Sequence, residues 1–391
     1  MSVEVTCYDC KNSYALADRK RCECGEPLWI ASDVTAFDPD DGAYGVGRYS
    51  DLLPVDPVGV GTGTGGTPLV RAEGLDDVVG CRLHVKDEGE NPTGSFKDRG
   101  SAVGVAYAHE RGVDRVGTVS HGNMAMSMSA HAASVGMACV VLVPARIPPG
   151  RLGLIAQYDP DLVQAEGDYG RLYYEALEAG PALGVEFVNS DTPLRVAGQK
   201  TVAFEVFEAF GGVPDGVVLP VSSGGHASAV WKGFRELERA GVADRVPPLY
   251  FVQAAACDPI AQAYRNGDDE VTPVEPGETI AFSIANGSPP SGNRALAAAR
   301  RTGGAVLSAP DDEIRDATDR LAQQAGLCVE PACATTVAGL GRLAADGAVD
   351  DEDEIVAIAT GTGFKELGGE ADVDAATVAV SDLERELGSA L

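Results

Sequence analysis

The chain has 391 residues, enough to bury a large core and to form two or three domains. Its hydrophobic share of 45% is that of an ordinary folded protein, and its 48 glycines and 23 prolines fall short of a low-complexity chain. Acidic groups outnumber basic ones 59 to 30, a net charge of −29 that argues against phosphate-backbone binding and suits a salt-rich, haloarchaeal-type cell where self-repulsion is screened. Acid-rich runs such as Asp346 to Glu354 read as solvated faces. The N-terminal MSVEVTCYDC lacks a basic region followed by an apolar stretch, and no apolar run approaches membrane-spanning length, so a cytoplasmic location is expected.

Along the chain, cysteines come first. Cys7, Cys10, Cys22 and Cys24 form a C-x2-C pair, eleven intervening residues and a C-x-C pair followed by Gly25. Four thiolates on two tight turns can surround a zinc ion tetrahedrally, and a knuckle this small has almost no core without one. The second pair is one residue shorter than usual, and four reduced cysteines in a metal-free ribbon is the alternative. Cys81, Cys139, Cys257, Cys328 and Cys333 sit in apolar surroundings and read as buried thiols of a reducing compartment. Short apolar runs then alternate with helical patterns. Strands are predicted over Cys81 to Asp87, Arg115 to Ser120, Ala138 to Pro144, Gly216 to Val221, Leu249 to Ala254 and Glu354 to Thr360. Helices are predicted over Met124 to Val135, Val202 to Phe210 and Ala227 to Ala240. This order predicts an α/β fold of twisted, mainly parallel sheets covered by helices.

Lys97 lies inside ENPTGSFKDRG (Glu90 to Gly100), after an Asn-Pro-Thr-Gly turn and before a helix. The chain holds seven lysines against 23 arginines, so a lysine kept in so defined a turn is not readily explained as a solubilising residue. It fits an amine that bonds covalently to the aldehyde of pyridoxal 5'-phosphate and later shuttles protons at a substrate Cα. An exposed lysine at a polar helix start is the plainer reading. PVSSGGHASA (Pro220 to Ala229) falls between a predicted strand and helix, where small residues let backbone amides approach a phosphate and the helix N-terminus adds favourable dipole charge. Ser222, Ser223, Gly224, Gly225 and His226 are the candidates there, although a Gly-Gly turn after a strand is also ordinary turn chemistry. GVGTGTGGTPLV (Gly59 to Val70) carries a G-x-G pattern without a clear strand-helix unit, a weak sign of a nucleotide site.

The Lys97 segment resembles the cofactor lysine of fold-type II pyridoxal-phosphate enzymes, and most closely that of threonine synthases. AGQKTVAFEVFE (Ala197 to Glu208), VEPACATTVAGL (Val329 to Leu340) and ATGTGFKE (Ala359 to Glu366) are similar to threonine synthase segments in the same order. The resemblance implies a tryptophan synthase β-subunit-like architecture: a zinc-ribbon-like segment at 1–32, a large cofactor domain at 33–115 and 196–391, and a small mobile substrate domain at 116–195. It implies that Asn123 faces the cofactor's phenolic oxygen, that Ser120, His121 and Gly122 lie with it against the substrate carboxylate, and that Thr360 offers a neutral hydroxyl to the pyridine nitrogen. A neutral partner leaves a weaker electron sink, suited to elimination and replacement. The resemblance also makes Gly59 to Val70 a lead-in loop, with Thr64 where the family carries glutamate.

On the substrate side Leu154, Asp168 and Tyr174 replace a lysine, an asparagine and an arginine that threonine synthases place around the substrate phosphate. His121 and Met124 stand where hydroxyl residues are usual, and the arginine expected in Ser283 to Pro289 is missing. Arg146, Arg151, Arg171 and Lys200 are the cations that could substitute. The expected activity is a lyase converting O-phospho-L-homoserine and water to threonine and phosphate. A β-elimination or β-replacement enzyme, serine/threonine dehydratase-like or cysteate synthase-like, is the rival, and an inactive binding or regulatory paralogue a third reading. The expected partner is an amino-acid substrate, with a homodimer left open.

Overall fold

The computed structural model describes residues 3–366 apart from 33, 121, 146, 148, 167 and 168, together with residues 380–382. In chain order its strands are β1 (Glu4–Cys7), β2 (Ser13–Ala15), β3 (Leu28–Ile30), β4 (Leu69–Arg71), β5 (Arg82–Asp87), β6 (Arg115–Val119), β7 (Ala138–Pro144), β8 (Asp161–Ala165), β9 (Val185–Phe187), β10 (Gly216–Pro220), β11 (Leu249–Ala254), β12 (Val306–Ala309) and β13 (Glu354–Ala359). The first three form an antiparallel sheet ordered β2-β1-β3. A parallel sheet runs β8-β7-β6-β9. The largest sheet, β12-β11-β10-β13-β5-β4, is parallel except where β4 meets β5.

Burial explains why these segments are strands. Every residue of β10 and β11 is buried, as a parallel strand covered by helices on both faces requires, and their sequences are correspondingly apolar runs, broken only by Gln253 of β11, whose side-chain oxygen accepts from the Ile260 and Ala261 amides. The six predicted strands and three predicted helices all appear, with ends shifted by at most two residues; the helix expected from Met124, for example, spans Asn123–Ser134. The remaining strands carried little signal. Edge strand β8 exposes three of its five residues, and β1, β2, β3, β4, β9 and β12 are three or four residues long.

Two polar networks lie inside this apolar frame. Arg99, fully buried, donates to Glu88 and to Glu205, each at 2.6 Å, and Lys86 donates to Glu205 at 2.7 Å. Burial works against the ionised carboxyl of Glu205, yet Arg99 and Lys86 hold it down at about 2. The network ties the helix Lys97–Glu110 to β5 and to the helix Thr201–Phe210. A second, Lys200 and Lys232 on Glu236, ties the junction of helices Pro193–Gln199 and Thr201–Phe210 to helix Gly225–Arg239. Where threonine synthases carry glutamate, Thr64 is buried beside His131 at 3.3 Å.

The carboxyl ends of β6, β7, β10 and β13 converge on one cavity of about 550 Å³, lined by Ser120, Pro144, Pro220 and Thr360 just past or at those ends. Crevices outside the carboxyl ends of parallel strands are where open α/β sheets take ligands. Among the described residues, no helix is long and apolar enough to cross a membrane.

Candidate active site

Lys97 opens the helix Lys97–Glu110 and lines the cavity. The turn before it is held from both ends. Gly94 donates to the Asn91 carbonyl at 2.7 Å, and Phe96 donates to the carbonyl of Thr360 at 3.0 Å, so the lysine is stitched to the end of β13. Asp98 accepts from the Thr93 amide, the Thr93 hydroxyl and the Ser127 hydroxyl at 2.6, 2.7 and 2.6 Å, closing the turn over the helix start. Burial lowers the Lys97 ammonium to about 7; the positive charge of Arg195 pushes the same way and Glu330 opposes. An amine near neutrality at physiological pH can be both nucleophile and base.

Ser222, Ser223, Gly224, Gly225 and His226 line the same cavity, between β10 and the helix Gly225–Arg239. The two glycines are there because the chain approaches too closely for a side chain. A Cβ on Gly224 would lie 2.4 Å from the Ser291 carbonyl oxygen, and one on Gly225 2.2 Å from that of Ser190. The buried His226 ring packs on Phe96 at 4.1 Å between centroids, and neither ring nitrogen has a hydrogen-bond partner. Burial, then the positive charges of Lys97, Arg99 and Arg195, push its pKa well down, so the imidazole is neutral. Thr360 lines the opposite side, its hydroxyl 3.3 Å from the Cys333 sulfur. A glycine turn at a helix start, two unpartnered imidazole nitrogens and a near-neutral lysine fit a phosphate-bearing aldehyde cofactor.

Ser120, Gly122 and Asn123 form the third wall. Asn123 is fully engaged: its amide donates to Glu330 at 2.6 Å, and its carbonyl accepts from Lys365 at 2.6 Å. His121, Asp168 and Arg146 lie outside the described residues. Of the other cations considered, Lys200 is committed to Glu236 and the Leu52 carbonyl, and Arg171 pairs with Glu175 on the surface. Arg151 alone of these three lines the cavity, over the ring of Phe282 at 3.9 Å and paired with Glu366. Leu154 is half-buried against the apolar core of the four-stranded sheet and lines a small pocket beside the cavity with Gly122, Asn123 and Arg151, whereas Tyr174 is exposed against Arg21 and lines neither. Glu330, Lys365 and Glu366 also belong to the site, and they lie within two of the segments quoted above without any local pattern that marks them. In Gly59 to Val70 the amides of Gly65 and Gly66 are spent on Asn91 and Glu205 at 2.9 and 2.8 Å, so neither is offered to an anion.

Comparison with known proteins decides the family. The chain matches the family described as "Pyridoxal-phosphate dependent enzyme" over residues 60–361. It is 38% identical to threonine synthase of Methanocaldococcus jannaschii, with 92% of each chain covered, and 37% identical to that of Methanosarcina acetivorans, covering 81% of this chain and 79% of the relative. The chain belongs to the pyridoxal-phosphate dependent enzymes, as a threonine synthase-like lyase. Solved structures agree on the fold. A tomato (Solanum lycopersicum) threonine deaminase isoform superposes with a TM-score of 0.65 at 18% identity, covering 91% of this chain and 97% of that one. Maize serine racemase gives 0.64 at 20%, covering 83% and 92%. This threonine synthase-like chain therefore has the fold-type II architecture.

At its N-terminus the sulfurs of Cys7, Cys10, Cys22 and Cys24 all lie within 4.8 Å of one another, with 3.7 Å between Cys7 and Cys24 and 3.4 Å between Cys10 and Cys22. Thiolates about 2.3 Å from a tetrahedral zinc ion stand roughly 3.8 Å apart. The short C-x-C pair therefore does not prevent the four sulfurs from converging.

Proposed function

We propose that the chain converts O-phospho-L-homoserine and water to L-threonine and phosphate. One observation carries the reading: a lysine with its ammonium lowered to about 7 faces the Ser222–Gly225 turn, Asn123 and Thr360 across a single cavity. Relatives named threonine synthase supply the substrate. Pyridoxal phosphate, when bound, supplies a sink for the negative charge that develops at the substrate Cα. Lys97 would hold its aldehyde carbon, the amides of the 222–225 turn its phosphate, and the Thr360 hydroxyl its ring nitrogen. The neutral Lys97 amine takes the proton from substrate Cα, hands it on, and, neutral again, takes one from Cβ. The γ-phosphate leaves, Cγ is protonated to a methyl group, the hydroxyl of water adds at Cβ while its proton goes to the phosphate, and Cα regains a proton.

Ser120, His121, Gly122 and Asn123 receive the substrate carboxylate at the start of the helix Asn123–Ser134. Arg151 takes the part of the cation missing from positions 154 and 174, because among the described residues it is the guanidinium on the cavity wall. For Asn123 to turn inward, Glu330 and Lys365 must release it. That requirement supports assigning residues 116–195 as a small domain that moves against 33–115 and 196–391. The cysteine cluster at 1–32 is assigned to structural zinc, and the charge of −29 to a haloarchaeal-type, salt-rich cytoplasm.

The test is substrate turnover in molar salt. Phosphate released from O-phosphohomoserine supports the reading. Keto acid from serine or threonine without phosphate release would replace it with a β-eliminating enzyme, the reading favoured by the apolar Leu154 beside Arg151.

A further inference from the structure

The cysteine knuckle stands apart from the cavity, yet one side chain connects them. The Arg21 guanidinium is anchored on its own ribbon by the Gly25 carbonyl, which accepts from Nη2 at 2.6 Å and Nε at 3.2 Å. Gly25 in turn donates to the Cys22 carbonyl at 3.0 Å, so this carbonyl belongs to the turn that carries Cys22 and Cys24. From that anchor Arg21 reaches outward twice. Nη1 donates to Asp191 at 2.9 Å, and Nη2 donates to the Pro290 carbonyl at 3.1 Å. Asp191 is only 2% exposed and the Arg21 side chain 22%, so the pairing is part-buried.

Both targets adjoin the residues that wall the Ser222–Gly225 turn. Ser190, before Asp191, presses its carbonyl against Gly225. Ser291, after Pro290, presses its carbonyl against Gly224 and donates its amide to the Ser223 carbonyl at 2.9 Å. One planar fork thus spans the two chain segments between which the turn is gripped. Neighbouring contacts run the same way, with Asn293 donating to Glu26 at 2.8 Å and Lys20 paired with Glu186 on β9.

We infer that Arg21 is a positioning residue through which the four-cysteine knuckle sets the grip of the Ser222–Gly225 turn on the cofactor's phosphate. A metal-loaded knuckle fixes the Gly25 carbonyl, Gly25 fixes Arg21, and Arg21 fixes residues 190–191 and 290–291. With the knuckle unloaded, the fork loses its anchor, the two walls relax, and the turn holds phosphate less tightly. The inference rests on the pyridoxal-phosphate and zinc readings above, and it concerns binding alone, so substrate identity does not enter.

The experiment titrates zinc-loaded and chelator-treated protein, wild type and Arg21→Met, with pyridoxal phosphate and separately with pyridoxal, following the visible absorbance. Circular dichroism checks that each sample is folded. Arg21→Met with zinc in place is expected to weaken pyridoxal phosphate by about fivefold or more, the usual lower range for coupled sites. Pyridoxal, which lacks the phosphate, should change little. Chelation of the wild type should produce the same selective loss, and chelation of Arg21→Met should add nothing. Equal losses for both ligands would mean a general loss of structure and would overturn the inference. So would a chelated wild type with unchanged affinity, effects of chelation and substitution that simply add, or a knuckle that takes up no zinc. Protein that binds neither ligand would overturn both this inference and the cofactor reading.

Discussion

On the wall supplied by the six-stranded sheet, Lys97 and the glycine turn are fixed by backbone: Phe96 on the Thr360 carbonyl, Ser291 on the Ser223 carbonyl, and carbonyls packed where side chains would otherwise be. On the wall supplied by the four-stranded sheet, Asn123 and Arg151 are held by side chains reaching across the cavity, from Glu330, Lys365 and Glu366. The first wall is preorganised, as a resident cofactor requires. The second can exchange its partners for a substrate, as a surface that closes on each turnover requires.

The sharpest way to break this contrast is Lys97→Ala. Turnover should fall at least about a thousandfold, since nucleophile and base are lost together, and the visible band of the bound cofactor should vanish. Survival of that band would mean that the cofactor is held elsewhere. Next in size is Arg99→Leu behind the same wall. It leaves Glu88 and Glu205 buried with their main counter-charge gone and should cost about 3–5 kcal/mol, read as a lower denaturant midpoint in molar salt. An equivalent change on the other wall, Glu366→Gln, should cost well under about 1 kcal/mol, because that pair is part-exposed.

A third prediction uses pH. Burial lowers the Lys97 ammonium to about 7, so the neutral amine fraction rises with pH up to that value and saturates above it. The rate at which apoprotein recombines with pyridoxal phosphate should therefore climb about tenfold per pH unit below about 7 and then flatten. A lysine with the ordinary value of 10.5 would keep climbing to that pH, and such a profile would refute the buried amine.

Legibility in the sequence divides along the same line. Lys97 with its turn and the 222–226 turn were readable because each is built by contiguous residues whose backbone geometry demands particular side chains: Gly and Pro in turns, small residues where chains touch. The apolar strands β10 and β11 were readable from their unbroken burial. What escaped notice joins residues far apart in the chain. Asn123 meets Lys365 across 242 positions and Arg151 meets Glu366 across 215, and no local pattern announces either pair. Cys333 read as an inert buried thiol. It is buried, but its sulfur sits 3.3 Å from the Thr360 hydroxyl and accepts the Gly361 amide at 3.2 Å, a role that depends wholly on β13 ending beside the helix Pro331–Ala345. The replaced residue 174 misled in the other direction, because a motif comparison could not show that its side chain is exposed against Arg21 and not on the cavity wall.

Arg151→Met is the change that most sharpens the contrast. If the movable wall receives a phosphorylated substrate, the guanidinium must leave Glu366 for the phosphate, and its loss removes a charge-assisted contact worth roughly 1.5–3 kcal/mol, or about tenfold and upward in KM. Cofactor absorbance should be untouched, because nothing on the preorganised wall depends on Arg151. Glu366→Gln supplies the complementary measurement. It removes the competing carboxylate, so KM for O-phosphohomoserine should stay level or fall while Arg151 remains. A KM that does not move in Arg151→Met would leave the cavity without a described guanidinium for the phosphate and shift the balance toward a substrate whose leaving group carries no such charge.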